Sequence, residues 1–132
     1  MASYQFISPI SIEIPRKTKP NKKIHLGLNW YRNAQHFESN TVKQLYKASM
    51  SPVVTGYKFK EPIKITYTYF ANDARKSDVD NKCSVVNKFF QDTLVECGCI
   101  SEDNYTVVPT VEYVFGGVDK HNGRVEILVE EL

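Results

Sequence analysis

Alternation in residues 59–70 commits this chain to a β-sheet. Ile63, Ile65, Tyr67 and Tyr69 alternate with Lys64, Thr66 and Thr68, the two-residue period of a strand with one face in a core. The period then changes. Cys83, Val86, Phe90, Leu94 and Cys97, with Phe89 beside them, form one apolar face at helical spacing over residues 80–97, and Gly98 follows as a stop. Asp80, Ser84, Lys88, Gln91 and Asp92 lie broadly on the opposite face. A half-buried strand and an amphipathic helix each leave an apolar surface, and packing one on the other removes both from water.

The flanking segments extend this layered plan. Ile10, Ile12 and Ile14 alternate with Ser11 and Glu13 inside a strand expected over 4–14. A helix is expected over 40–50, with Asn40 as N-cap and Val42, Leu45, Tyr46 and Ala48 or Met50 on its apolar side. Val107, Val111, Tyr113 and Phe115 share a face of a strand over 105–115. Gly116-Gly117 and Asn122-Gly123 mark turns, and Val125, Ile127 and Val129 line a last strand over 124–130. The order strand, helix, strand, helix, strand, strand predicts an α+β domain, a mixed sheet of about four strands with two main helices. At 132 residues a single domain over 1–132 is expected. No apolar run approaches the length of a membrane span, and no basic segment followed by an apolar stretch opens the chain, so a cytoplasmic protein is the default expectation. Cys83, Cys97 and Cys99 are odd in number and lack a metal-finger spacing, which fits reduced thiols.

The net charge of +2 hides an asymmetry. Residues 1–76 carry 13 Lys or Arg against 4 Asp or Glu, whereas residues 77–132 carry 4 against 11. A basic half suggests a polyanionic partner. Arg16, Lys17 and Lys19 lie between Pro15 and Pro20, Lys22 and Lys23 follow directly, and Arg75-Lys76 precede the helix; all seven are candidates for contacts to the phosphate backbone of a nucleic acid. In Asn29-Trp30-Tyr31-Arg32, Tyr31 and Arg32 can stack on bases or bind phosphate, while Trp30 serves equally well as a core anchor.

The acidic half calls for its own explanation, and a divalent cation is one. Asp78-Val79-Asp80-Asn81 opens the helix, Lys88 and Asp92 follow four residues apart, and Glu102-Asp103 come after it. Two roles are open to Asp78 and Asp80. An acidic residue at a helix start caps free amides; three carboxylates brought together with Asp103 would instead hold a hard cation such as Mg²⁺. An EF-hand is a poor fit, because its fifth, sixth and twelfth positions would be Lys82, Cys83 and Phe89. Lys88 and Asp92 suit a surface ion pair or, for Lys88, a phosphate contact. His25, His36 and His121 show no zinc spacing, and Gly116-Gly117 is no phosphate loop, so no nucleotide cofactor is expected.

At these residues the chain resembles the RusA-type Holliday junction resolvases, known mostly from phages and prophages. The resembling positions are Asp78-Val79-Asp80-Asn81, Lys88, Asp92-Thr93-Leu94, Gly98, Glu102-Asp103 and Gly123-Arg124-Val125-Glu126, with Asn29-Trp30-Tyr31-Arg32 upstream. The family's lysine follows the second aspartate by four residues. Here that position is Ser84, and Lys88 comes four residues later. Four extra residues either bulge out before the helix or shift Lys88 by about 6 Å along it. The resemblance implies a RusA-like fold and a homodimeric, Mg²⁺-dependent (or Mn²⁺-dependent) endonuclease that nicks four-way or other branched DNA. It implies Asp78, Asp80 and Asp103 as metal ligands, Lys88 as the catalytic cation, and Asn81, Asp92 and Glu102 in support. The alternative expectation is a non-catalytic DNA-binding protein that keeps the fold.

Overall fold

The computed structural model describes residues 2–132. Six strands and three helices follow one another as β1 (Ser3–Ser8), β2 (Ser11–Ile14), β3 (Lys22–His25), α1 (Leu28–Asn33), α2 (His36–Val54), β4 (Ile63–Ala71), α3 (Val79–Glu96), β5 (Thr110–Val118) and β6 (Arg124–Glu131). Four strands make a mixed sheet in the order β1-β6-β4-β5, and β2 pairs with β3 in a separate hairpin. The domain is α+β, and its two long helices are α2 and α3. Among the described residues no helix is long and apolar enough to cross a membrane.

The alternation that announces β4 is what builds the core. Ile63, Ile65 and Tyr67 are fully buried, and their partners across the antiparallel β4–β6 ladder include the buried Val129 and Ile127. Phe90 of α3 packs its ring 5.9 Å from that of Phe6 on β1 and 6.3 Å from that of Tyr67 on β4. Tyr46 of α2 meets Phe89 of α3 at 5.7 Å and shares a buried 2.7 Å hydrogen bond with the Ser8 hydroxyl, which gives its polar tip a partner.

β4 and β5 are parallel, so the chain must cross back between them, and α3 is that crossover. The N-terminal end of α3 therefore lies at the carboxyl ends of β4 and β5, and its C-terminal end lies at the opposite edge of the sheet. Cys97 caps the helix, Gly98 takes φ 74°, and the Cys99 amide returns to the Leu94 carbonyl at 2.8 Å.

Five segments depart from expectation, one of them the strand expected over 105–115, which runs instead over Thr110–Val118 as β5 and leaves the buried Val107 in the turn before it. The strand expected over 4–14 is broken at Pro9-Ile10, so β1 joins the main sheet and β2 joins the hairpin. The basic segment is a loop only to Asn21, because burial of Ile24 draws Lys22 and Lys23 into β3. The helix expected from residue 40 begins at His36, and a short α1 precedes it. Gly116 and Gly117 lie inside β5 rather than in a turn. There the ladder slips by one residue: Tyr69 pairs with Phe115, and Phe70 with Gly117. The Phe70 ring, stacked 4.1 Å under the Arg124 guanidinium, occupies the space beside Gly116, where a Cβ would sit 2.6 Å from it. Only glycine fits.

Candidate functional site

The loop between β4 and α3 and the first turn of that helix form one rim of the carboxyl end of the sheet. Asp78 is the residue at which α3 begins, yet its side chain makes no capping hydrogen bond, and Asp80 lies in the first turn. Both are exposed. The capping role open to Asp78 is therefore not the one its side chain takes up, which leaves two exposed carboxylates two residues apart in sequence at the start of α3. Asp80 is near enough to the buried Cys83 and to Tyr113 on β5 to add to the upward shift of both groups. In each case desolvation is the larger cause; it pushes the Cys83 thiol up to about 12.

Asn81 has a mechanical task. Its Oδ1 accepts the Leu28 amide at 2.8 Å, and its side chain packs against Gly27. A free amide at the start of α1 is thereby satisfied by a residue 53 positions away. This bond ties the Asn29–Arg32 segment to the start of α3. Within that segment Tyr31 packs edge-on to Phe89, 6.1 Å between centroids, and Trp30 packs against Tyr31. Both rings are partly buried against the core. Arg32 is exposed in the last turn of α1.

The acidic constellation is not gathered at one point. α3 has 18 residues, so its two ends lie roughly 27 Å apart. Asp78 and Asp80 are at one end. Asp103, Glu102 and Asp92 are at the other, where they line a cleft with Lys43 and Glu96. The physical reason is the crossover itself: the chain must run the length of α3 before turning into the segment that holds Asp103. Among the described residues no three His, Cys, Asp or Glu side chains are grouped to hold a metal ion. Asp78 and Asp80 fit a hard cation that keeps most of its waters, but Asp103 of the same chain cannot join them.

Lys88 is displaced as well. The helix is continuous from Val79, so the four extra residues do not bulge out; they lengthen it. Lys88 then stands about 12 Å along the axis from Asp80, exposed to solvent. Asp92 does not pair with Lys88. It takes the Lys43 ammonium of α2 at 3.0 Å, and this hydrogen bond is the main cause that raises the Lys43 pKa.

The positive groups divide in two. Arg16 closes its own loop by donating Nε to the Pro20 carbonyl at 2.8 Å, while Lys17 and Lys19 are exposed on that loop. Lys22 pairs with Glu38 at 2.8 Å. The other set lies at the end of α3 that carries Asp80. Arg75 and Lys76 line a cleft of about 280 Å³ together with His25 and Lys82, and Asp73 is the single carboxylate among its lining residues. The pKa of His25 is lowered, first by partial burial and then by the positive charges of Lys23, Lys82 and Arg75, partly opposed by Asp73. His25 and Lys82 were not legible as site residues. His25 stands alone in the sequence, and Lys82 lies in the acidic half within a helical run; only the fold brings them to the 72–77 loop.

Comparison with models of known protein families finds no match, and no curated protein is significantly similar to the chain.

Proposed function

We propose that the protein is a metal-dependent, structure-selective endodeoxyribonuclease that nicks four-way junctions or other branched DNA, acting as a homodimer of the RusA type. One observation carries the reading. Asp78 and Asp80, two exposed carboxylates, share the carboxyl edge of parallel strands with a cleft lined by Arg75, Lys76, Lys82 and His25. Ligands of sheets with parallel strands bind outside those carboxyl ends, and phosphodiester chemistry needs both a cation holder and groups that bind the backbone. In this reading Asp78 and Asp80 hold Mg²⁺ or Mn²⁺, which when bound supplies an activated water and charge neutralisation. The chain's own cations seat the backbone phosphates, and Asn81 keeps α1 docked beside them. Two-fold symmetry suits a four-way junction, because a dimer presents two equivalent sites to two strands.

The test uses labelled four-way junction and linear duplex, each with and without Mg²⁺. Nicked product from the junction that requires Mg²⁺, abolished by Asp80→Asn while junction binding persists, is the expected result. Cleavage by Asp80→Asn at the wild-type rate would overturn the assignment.

A second reading, a DNA-binding protein without chemistry, draws on the distance of Asp103 and Lys88 from Asp80. It predicts salt-sensitive junction binding and no Mg²⁺-dependent product in the same assay.

A further inference from the structure

The cation nearest the Asp78–Asp80 end is not Lys88. Lys82, two residues after Asp80, lines the cleft between the hairpin and the 72–77 loop, together with His25, Arg75 and Lys76. These groups come from three separate segments: the end of β3, the loop after β4 and the first turns of α3. Converging like charges at one place is unfavourable for the free protein, and Asp73 is the single carboxylate in the cleft lining to set against them. Asp73 is committed to its own loop, where it accepts the Arg75 amide at 2.9 Å and lies 3.7 Å from the guanidinium. The Arg75 side chain is 91% exposed and so reaches into solvent beyond this pair. The volume of about 280 Å³ admits a phosphate and part of its sugar. The cost of gathering the charges is recovered when an anion enters, and the groups available suit phosphate: an ammonium as point charge, a guanidinium fork and an imidazole donor.

We propose that His25, Lys82 and the Arg75-Lys76 loop form a phosphodiester-binding subsite beside Asp78 and Asp80. The subsite rests on the nuclease reading only for the source of its phosphate, the backbone of DNA.

The experiment measures junction affinity against salt in EDTA, for the full chain and for Lys82→Gln, Arg75→Gln and, as control, Lys58→Gln. Lys82 is half-exposed and Arg75 lies on an exposed loop, so both variants keep the fold, as the amide spectrum verifies. In parallel, inorganic pyrophosphate is titrated into the ¹⁵N-labelled protein. The expected results are a several-fold weaker affinity and a salt slope smaller by about one for each of Lys82→Gln and Arg75→Gln, no change for Lys58→Gln, and pyrophosphate shifts centred on His25 and Lys82. Junction binding by the wild type with an unaltered slope in Lys82→Gln overturns the subsite and spares the nuclease reading. No DNA binding by the wild type, with pyrophosphate shifts that Lys82→Gln removes, overturns the nuclease reading and supports the subsite. Absence of both overturns both.

Discussion

At the scale of single residues, Asn81 shows how a side chain beside a candidate active site can act by holding backbone. It follows the two aspartates directly, and proximity alone suggests a ligand or a catalytic amide. Its Oδ1 is instead occupied by the Leu28 amide at 2.8 Å. Replacing Asn81 with Ala removes the acceptor and leaves a partly buried N–H without a partner, at a cost of about 1 kcal/mol. Asn81→Asp keeps an acceptor oxygen and retains most of that. Urea midpoints for the three proteins check this, and equal midpoints for wild type and Asn81→Ala would sink the assigned role. Nothing in the local sequence announces the contact, since no short-range pattern links positions 28 and 81. Gly116 was equally opaque. Its pairing with Gly117 suggested a turn, whereas the reason for glycine is the Phe70 ring on the neighbouring strand.

At the scale of elements, periodicity carried most of the information. The apolar faces of β4, α3 and β6 were legible because each of these elements buries one side, which imposes a period on the sequence. Breaks between elements were less so: Pro9-Ile10 divides two strands that share one alternation, and β3 was hidden within a run of lysines. The interlayer core has a consequence at high pH. Burial, with Asp80 second, pushes the Cys83 thiol up to about 12 from an ordinary 9.0. Burial likewise raises Tyr46 and Tyr67. Below pH 9 the thiol is neutral in both folded and unfolded chains, and stability is intact. Above it the unfolded chain loses the proton while the folded one keeps it, so stability falls as pH rises toward 12. The slope from Cys83 is about 1.4 kcal/mol per pH unit, and the tyrosines join above pH 10. Urea unfolding followed by circular dichroism from pH 7.5 to 10 should show this decline. In Cys83→Ala the protein is less stable throughout, but its loss between pH 9 and 10 is shallower; an unchanged slope there would count against the thiol.

At the scale of the whole molecule, the decisive feature is that α3 separates two acidic ends. The sequence places Asp78, Asp80 and Asp103 within 26 residues, and a resolvase-like pattern treats them as one site. Local spacing carries no information on which end of a crossover helix a residue occupies, and the parallel pairing of β4 with β5 puts Asp103 at the far end. If nicking needs all three carboxylates, Asp103 must come from a second copy of the chain. That arrangement has a signature. If the partner's Asp103 completes the site, Asp80→Asn and Asp103→Asn proteins are each inactive alone. When the two are dissociated and reassociated together, about half of the dimers contain one of each in a random mixture. In such a dimer the end bearing the Asn at position 80 faces the partner's Asn at position 103, so both defects fall in one site. The other site combines an intact Asp78–Asp80 pair with an intact Asp103. The mixture therefore recovers nicking of one strand of the junction, whereas a site built within one chain recovers none. Product analysis on a denaturing gel, with each junction strand labelled in turn, distinguishes the two. Nicking by Asp103→Asn on its own would remove Asp103 from the site altogether and leave Asp78 and Asp80 as its carboxylates.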